Sequence, residues 1–261
     1  MTKKPSRLQK DALATSHEMA IVDHLIELRR RLLYSVFAFF SAFLVCYYFS
    51  EEIFAFLIRP LAEALKDKEG RRLIYTGLAE AFFTYLKVAF FSAAFLSFPI
   101  VANQLWIFIA PGLYSQEKRV ALPFLLATPI LFFLGAAFAY YIIIPPAWQF
   151  FLNFETHGTS ETLPIQLEAR VGEYLSIIMR LIMAFGICFQ LPILLFLLAR
   201  VGILQYQMLE KYRKYSFIMI LVVSALLTPP DVLSMVGLAL PLYGLYEISI
   251  LLIRLLVKTK K

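Results

Sequence analysis

Long stretches without a charged side chain divide this chain into apolar segments joined by short polar ones. Six such runs occur, at residues 32–50, 88–116, 120–154, 181–199, 215–230 and 232–246. A charge at the centre of a spanning helix costs about 2.5–3.5 kcal/mol on insertion scales, so charge-free runs mark segments that can cross a bilayer. The pattern predicts an all-α polytopic membrane protein with six transmembrane helices.

Prolines are expected to end two of these helices. The runs at 88–116 and 120–154 are longer than the roughly 20 residues that a span needs. Proline has no N–H donor and disfavours helix in the residue before it. We therefore expect the second transmembrane helix to end near residues 99–104 and the third to end at Pro145-Pro146.

The last two runs are short, with 16 and 15 residues. Helices of that length reach about 22–24 Å, against roughly 30 Å of hydrocarbon. The motif Thr228-Pro229-Pro230-Asp231 between them is typical of a tight turn. We favour two short spanning helices, which would thin the bilayer locally, over a re-entrant hairpin.

The distribution of Lys and Arg predicts the orientation. Seventeen fall on the side that would hold both termini and six on the other, and cytoplasmic loops carry the excess of positive charge. Both termini are therefore expected in the cytoplasm. The predicted organisation is a cytoplasmic segment at 1–31, a six-helix domain at 32–253 with an amphipathic external loop at 51–80, and a cytoplasmic tail at 254–261.

Two of the external segments are expected to be structured. Residues 51–61 alternate apolar and charged side chains in a way that predicts a short interfacial helix ending before Pro60. The third loop, at about 146–172, is long enough to form a cap of its own.

Composition excludes a soluble protein. Hydrophobic residues make up 61% of the chain and charged residues 16%, against roughly 45–50% and 25% in globular proteins. The net charge of +7 follows from the orientation, so no nucleic-acid partner is needed to explain it. The N-terminus lacks the apolar core and cleavage site of a removable signal peptide.

No motif for catalysis or metal binding occurs in the sequence. None of the three histidines has a second His or a Cys at metal-ligand spacing, and the G-x-S-x-G elbow and Gly-rich phosphate loop are absent. Cys46 and Cys188 both lie in apolar runs, which does not suggest a disulfide. We expect no enzymatic activity, metal or cofactor.

Two carboxylates at the cytoplasmic membrane border are candidates for binding. Glu27 precedes the first span and could simply pair with Arg31 at i, i+4 spacing. Glu117 precedes Lys118 and could be an ordinary loop carboxylate. Because both lie on the same membrane face, they could also form one acidic site for a basic ligand.

Three further polar residues need partners. Gln190 is the middle residue of its run, so its amide should bond to another helix, a partner or water. Pro192 should bend that helix. Glu247 in the last span could pair with a neighbouring helix, and Asp231 could cap the last helix.

Several local patterns, in this order and spacing, resemble the TatC family, the multispanning receptor of the twin-arginine protein translocase. The matching stretches are His24-Leu25-Ile26-Glu27-Leu28-Arg29, Phe82-Phe83-Thr84 with Lys87, Phe108-Ile109-Ala110-Pro111-Gly112-Leu113-Tyr114 with Glu117, Phe138-Ala139-Tyr140, Met183-Ala184-Phe185-Gly186 with Gln190 and Pro192, and Leu227-Thr228-Pro229-Pro230-Asp231. They extend from about residue 20 to residue 255.

The resemblance implies a role for Glu27 and Glu117 in binding the paired arginines of signal peptides, with Arg29 and Phe108 in the same region. A carboxylate can accept two hydrogen bonds from the planar guanidinium, whereas lysine offers a point charge. Pro60, Tyr140 and Asp231 match positions that the family retains.

The same resemblance implies partner contacts along the membrane helices. The family carries Glu or Gln at the Gln190 position, and the neutral residue here leaves a hydrogen-bonding role. The edge formed by the last two helices, with Leu227, Thr228, Pro229 and Asp231, resembles the docking site for a TatA- or TatB-like helix.

The resemblance and the six spans together predict a component of a bacterial inner-membrane translocase. It would bind twin-arginine signal peptides and assemble, in several copies, with single-span partners into a complex powered by the proton-motive force. A secondary transporter with a midplane site at Gln190 and Glu247 is the alternative, although no internal repeat supports it. A purely structural scaffold is a third reading.

Overall fold

The computed structural model describes residues 7–66, 72–109, 118–156, 163, 167–200, 202–228 and 232–256. The elements in chain order are α1 (Arg7–Tyr48), α2 (Ser50–Ala64), α3 (Glu80–Ile109), α4 (Lys118–Phe138), a π-helical turn (Ala139–Ile143), α5 (Ile144–Leu152), α6 (Val171–Cys188), α7 (Leu191–Arg200), α8 (Tyr206–Lys211), α9 (Arg213–Leu227) and α10 (Val232–Leu256). Within these ranges the fold is all-helical, apart from one isolated bridge between Ile74 and Arg170.

Five helical stretches in the described part of the chain are long and apolar enough to cross a bilayer. They are His24–Tyr48, Glu80–Phe108, Leu126–Leu152, Val171–Arg200 and Ser234–Leu255. α9 has only 15 residues and is not among them. The count of six spans therefore stays a prediction.

The expectation that both final helices are short is right for α9 and wrong for α10, which has 25 residues. The uncharged run ends at Glu247, but the helix does not. Glu247 lies 3.0 Å from the guanidinium of Arg213 on α9 and accepts a hydrogen bond from Tyr243. A carboxylate that is paired costs less inside a membrane-spanning helix than an isolated one.

Prolines end fewer helices than their local rules predict. α3 continues through Pro99 to Ile109. Next to Pro99, Phe98 stacks on Phe132 of α4 with ring centroids 4.0 Å apart. The third span does not end at Pro145-Pro146 either. The π-helical turn precedes the two prolines, which occupy the first turn of α5, where a missing N–H costs nothing.

The predicted amphipathic helix is present as α2, but it passes through Pro60 and ends at Ala64. Its buried side chains include Leu57, Pro60 and Leu61. Burial of this face holds the helix on the bundle and compensates for the backbone bond that proline removes.

Two helix pairs, α1 with α3 and α4 with α6, pack as antiparallel neighbours. α1 contacts chiefly α3, through the small buried residues Cys46, Ala89 and Ala93. α4 and α6 approach closely because glycines face aromatic rings: a Cβ at Gly186 would lie 2.7 Å from the Phe132 ring. Such small-residue contacts let helix backbones meet inside a bilayer.

Candidate functional site

One end of the bundle, here called the N-terminal end, is defined by two contacts between α1 and α3. Arg31 donates from Nη1 to Gln104 Oε1 at 3.3 Å. His24 stacks on Phe108, with ring centroids 4.3 Å apart and an angle of 15° between the rings. The two contacts fix α3 antiparallel to α1 at this end.

Glu27 lies between these two contacts on the same face of α1, three residues after His24 and four before Arg31. Its Oε1 accepts hydrogen bonds from Nε of Arg31, at 3.1 Å, and from Nη2. The i, i+4 pair expected from the sequence is therefore confirmed. The Glu27 side chain retains 34% of its exposure, against 20% for Arg31, so solvent and ligands can still reach the carboxylate.

The structure thus brings Glu27 and Phe108 to one end of the bundle, while Arg29 is exposed beside them. Glu117 lies outside the described residues, and its proximity to Glu27 stays a prediction. The contributions of His24 and Gln104 were missed in the sequence. For His24 the only available signal was its heptad-like spacing from Arg31, with Glu27 between them. Gln104 had no such signal.

Gln190 lies at a break between two helices. α6 ends at Cys188 and α7 begins at Leu191, so the regular helix is interrupted just before Pro192, next to which a bend was expected. Nε2 of Gln190 donates to the backbone carbonyl of Thr128 on α4 at 2.9 Å. This is the expected interhelical hydrogen bond. Oε1 of Gln190 is buried and has no hydrogen-bond partner among the described residues.

The edge formed by α9 and α10 has an apolar exterior and a buried hydroxyl contact where α9 ends. Thr228 is buried and its hydroxyl donates to the Ser224 carbonyl at 2.8 Å, while Leu227 is half-buried. Met219 and Leu226 expose 61% and 76% of their surface. Pro229 and Asp231 lie outside the described residues.

Gln190 and Glu247 do not share a partner. Gln190 bonds to α4, and Glu247 pairs with Arg213 of α9. A single midplane substrate site made from both residues has no support in these contacts. Arg213 could not have been named from the sequence, because its register against Glu247 is set by the packing of two helices.

Pro60 and Tyr140 are brought together at the other end of the bundle, here called the α2 end. The Tyr140 hydroxyl donates to the Phe56 carbonyl at 2.7 Å, and Tyr174 donates to the Leu57 carbonyl at 3.0 Å. Two tyrosines from the bundle therefore bind the backbone of α2 directly.

The segments 72–80 and 167–173 meet at the same end. The Ile74 N–H donates to the Ala169 carbonyl at 3.1 Å and the Val171 N–H to the Ile74 carbonyl at 3.0 Å. Arg170 donates to the Thr76 hydroxyl at 2.6 Å and to Glu173 at 2.8 Å. The described end of the third loop thus pairs with the first loop, a contact between segments that lie far apart in the sequence, and the expected cap stays a prediction.

Comparison with known proteins decides the family. The model of the family described as "Sec-independent protein translocase protein (TatC)" matches residues 23–241. The chain belongs to the TatC family.

Relatives with this name are similar over most of their length. The protein from Magnetococcus marinus is 47% identical over 238 residues, covering 91% of this chain and 85% of the relative. That from Rickettsia prowazekii is 46% identical over 230 residues, covering 88% and 90%. That from Escherichia coli K12 is 40% identical over 230 residues, covering 88% and 86%.

Two solved structures have the same fold. A crystal structure of the twin arginine translocase receptor TatC in DDM superposes with a TM-score of 0.75 at 38% identity, covering 88% of this chain and 98% of that one. A second TatC crystal structure gives a TM-score of 0.75 at 36% identity, covering 90% and 100%. This TatC-family chain is therefore a component of a Sec-independent protein translocase, in a family of transport proteins.

Proposed function

We propose that this TatC-family chain recognises the paired arginines of signal peptides at its N-terminal end. It then assembles with TatA- and TatB-like single-span proteins, in several copies, into a complex that moves folded proteins across the bacterial inner membrane, driven by the proton-motive force. The chain crosses the membrane six times, with α9 as the fifth span and both termini in the cytoplasm.

The meeting of Glu27 and Phe108 at one end of the bundle carries the peptide-binding proposal. Glu27 already holds one guanidinium, that of Arg31, through two N–H groups on a single oxygen. The same carboxylate chemistry suits an arginine of a bound peptide, because charge-assisted bonds to guanidinium are short and directional. Glu117 supplies the second carboxylate in this proposal.

The stack of His24 on Phe108 supports a platform next to that carboxylate. Aromatic faces accept an arginine guanidinium by stacking. Phe108 is half-buried, and its position is fixed by the ring of His24 rather than by a loop. A peptide arginine can thus meet a carboxylate and an aromatic ring that are held by two different helices.

The α9–α10 edge supports the proposal for a single-span partner. The 15 residues of α9 reach about 22 Å, so this helix can span only where the hydrocarbon is thinner than its usual ~30 Å, and its exposed face is apolar. A partner helix lying on this face would shield it where lipid is thinned. The unpaired Oε1 of Gln190 is a further acceptor available within the membrane.

Photocrosslinking tests the peptide site. A peptide carrying Arg-Arg, with a photoreactive residue placed next to the pair, should be captured by the wild-type chain, whereas its Lys-Lys counterpart should not. Glu27→Gln and Glu117→Gln should each reduce capture about tenfold or more, since a hydrogen bond to a charged group is worth roughly 1.5–3 kcal/mol.

Glu63→Gln is the matched control. Glu63 accepts from Nε of Arg59 at 3.1 Å in an i, i+4 pair like that of Glu27, but on α2. It should leave capture unchanged. Equal capture by wild type, Glu27→Gln and Glu117→Gln would refute the site.

A further inference from the structure

An open cleft of about 730 Å³ lies between the first turns of α3 and α6 at the α2 end. Its lining combines charged, hydroxyl and apolar side chains: Glu80, Phe83, Thr84, Lys87, Arg170, Gly172, Glu173, Ser176 and Ile177. Neither the peptide site nor the α9–α10 edge uses this cleft.

The charges at the mouth of the cleft are already satisfied. Glu80 accepts from the N–H groups of Thr76, at 2.8 Å, and Gly77, at 3.2 Å. Glu173 is paired with Arg170 at 2.8 Å. Each charged group at the mouth therefore has a hydrogen-bonding or ion-pair partner, and two carboxylates face one guanidinium, so the mouth does not attract an anion.

Two cations farther along the helices have no such partner. Lys87 lines the cleft on α3, and Arg180 follows Ser176 by one turn on the same face of α6. Both side chains are exposed. Neither forms an ion pair or hydrogen bond with any residue in the described part of the chain.

Both cations lie inside stretches long and apolar enough to span a bilayer, Glu80–Phe108 and Val171–Arg200. Lys87 is seven residues beyond Glu80, or roughly 10 Å along the helix axis. A charge at such depth is costly unless it reaches an anion or water. No carboxylate of the described residues pairs with either side chain, so an anion that meets both has to come from outside the described part of the chain.

We propose that the phosphate of a phospholipid from the leaflet at the α2 end binds at the inner end of the cleft, held by Lys87 of its lining and by Arg180, one turn beyond the lining residue Ser176. Two cations with no carboxylate partner in the described residues complement a phosphate, which accepts from both ammonium and guanidinium groups. Phe90, three residues deeper than Lys87 along α3 and 59% exposed, offers an apolar surface to the acyl chains. A headgroup drawn inward in this way lowers the bilayer surface beside α3 and α6.

Native mass spectrometry of the full chain in detergent micelles tests this site. Phosphatidylglycerol and diacylglycerol, which has the same chains without the phosphate, are supplied in equal amounts. We expect retention of phosphatidylglycerol and not of diacylglycerol. Lys87→Gln and Arg180→Gln should each reduce retention about fivefold, as expected for one cation near anionic lipid, and the double variant should reduce it further.

Charge-conserving variants separate binding from folding. Lys87→Arg and Arg180→Lys should keep the lipid, and all variants should keep the circular dichroism spectrum of the parent. Arg72→Gln, at the same end but outside the cleft lining, should retain the lipid fully.

Three results would overturn the proposal. They are equal retention by the double variant and the parent, equal retention of diacylglycerol, and displacement of phosphatidylglycerol by excess inorganic phosphate. The last would assign the cations to a soluble anion.

Discussion

The hydroxyl of Tyr140 donates to the carbonyl oxygen of Phe56 at 2.7 Å. That carbonyl belongs to the residue four positions before Pro60. In a regular helix it would accept a hydrogen bond from the N–H of residue 60, which proline lacks. The Tyr140 ring also stacks on the Phe56 ring, with centroids 4.5 Å apart and an angle of 9°. A side chain of the bundle thus replaces a backbone bond of α2, which explains why Pro60 does not end this helix.

Tyr140→Phe should lower the free energy of unfolding by about 1–2 kcal/mol, because it leaves the Phe56 carbonyl without a donor. In a Pro60→Ala background the new backbone N–H at position 60 can supply the bond, so the same substitution should cost much less. The measurement is SDS-induced unfolding in mixed micelles followed by circular dichroism, arranged as a double-mutant cycle.

Tyr174→Phe is the control for this cycle. Its hydroxyl donates to the Leu57 carbonyl, for which Leu61 has a backbone N–H four residues on. Its effect should add to that of Pro60→Ala without coupling. Additivity between Tyr140→Phe and Pro60→Ala would contradict the proposed replacement.

Arg31 occupies the carboxylate that we assign to a peptide arginine. Arg31→Gln should therefore tighten binding of an Arg-Arg peptide, by about fivefold if the exposed pair is worth roughly 1 kcal/mol. The gain should shrink as salt is raised, because the interaction is screened. Fluorescence anisotropy with a labelled peptide measures both effects.

Arg59→Gln, which breaks the similar pair on α2, provides the comparison and should not change peptide binding. Weaker binding by Arg31→Gln would mean that Arg31 holds Glu27 in position rather than competing for it.

The helical segments could be predicted from charge-free runs, but their ends could not. Local proline rules failed at Pro60, where a tertiary hydrogen bond from Tyr140 supplies what the local backbone lacks, and at Pro99, where Phe98 packs on Phe132 of another helix. The length of α10 was underestimated for a similar reason, since Glu247 is neutralised by Arg213 from another helix. Each error comes from a contact between residues far apart in sequence.

The candidate site divides in the same way. The bond between Glu27 and Arg31 was predictable, because i, i+4 spacing fixes it within one helix. Phe108 was assigned to the same region by family resemblance, and only the packing of α3 on α1 explains its position. Thr128 as the acceptor for Gln190 could not be predicted, since a backbone carbonyl leaves no mark in the sequence.

Gln190→Leu removes the donor to the Thr128 carbonyl and the free acceptor Oε1 together. We expect it to weaken recruitment of a TatA- or TatB-like partner more than membrane insertion, with destabilisation of about 1–2 kcal/mol. Co-purification of the partner and protease protection of the inserted chain measure the two effects. Gln149→Leu, at an exposed position of α5, should change neither, and full recruitment by Gln190→Leu would restrict this residue to packing.

Gly135 sets the distance between α4 and α6. A Cβ at this position would lie 2.6 Å from the Phe185 carbonyl oxygen and 2.7 Å from the Phe189 ring, and a backbone atom cannot move aside alone. Gly135→Ala should therefore force the two helices apart and cost about 1–3 kcal/mol, the usual range for overpacking. The shift should also lengthen the bond from Gln190 to Thr128, which bridges the same pair of helices.

Gly244→Ala is the matched substitution, because a Cβ there meets nothing within 4 Å in the described part of the chain. In mid-helix it should be neutral or stabilise by up to about 1 kcal/mol. SDS titration compares the free energy of unfolding of the two variants. Helix propensity favours alanine at both sites, so a difference between the variants reports packing alone. Equal stability of Gly135→Ala and Gly244→Ala would mean that α4 and α6 can separate without loss, and that their close approach does not hold the bundle together.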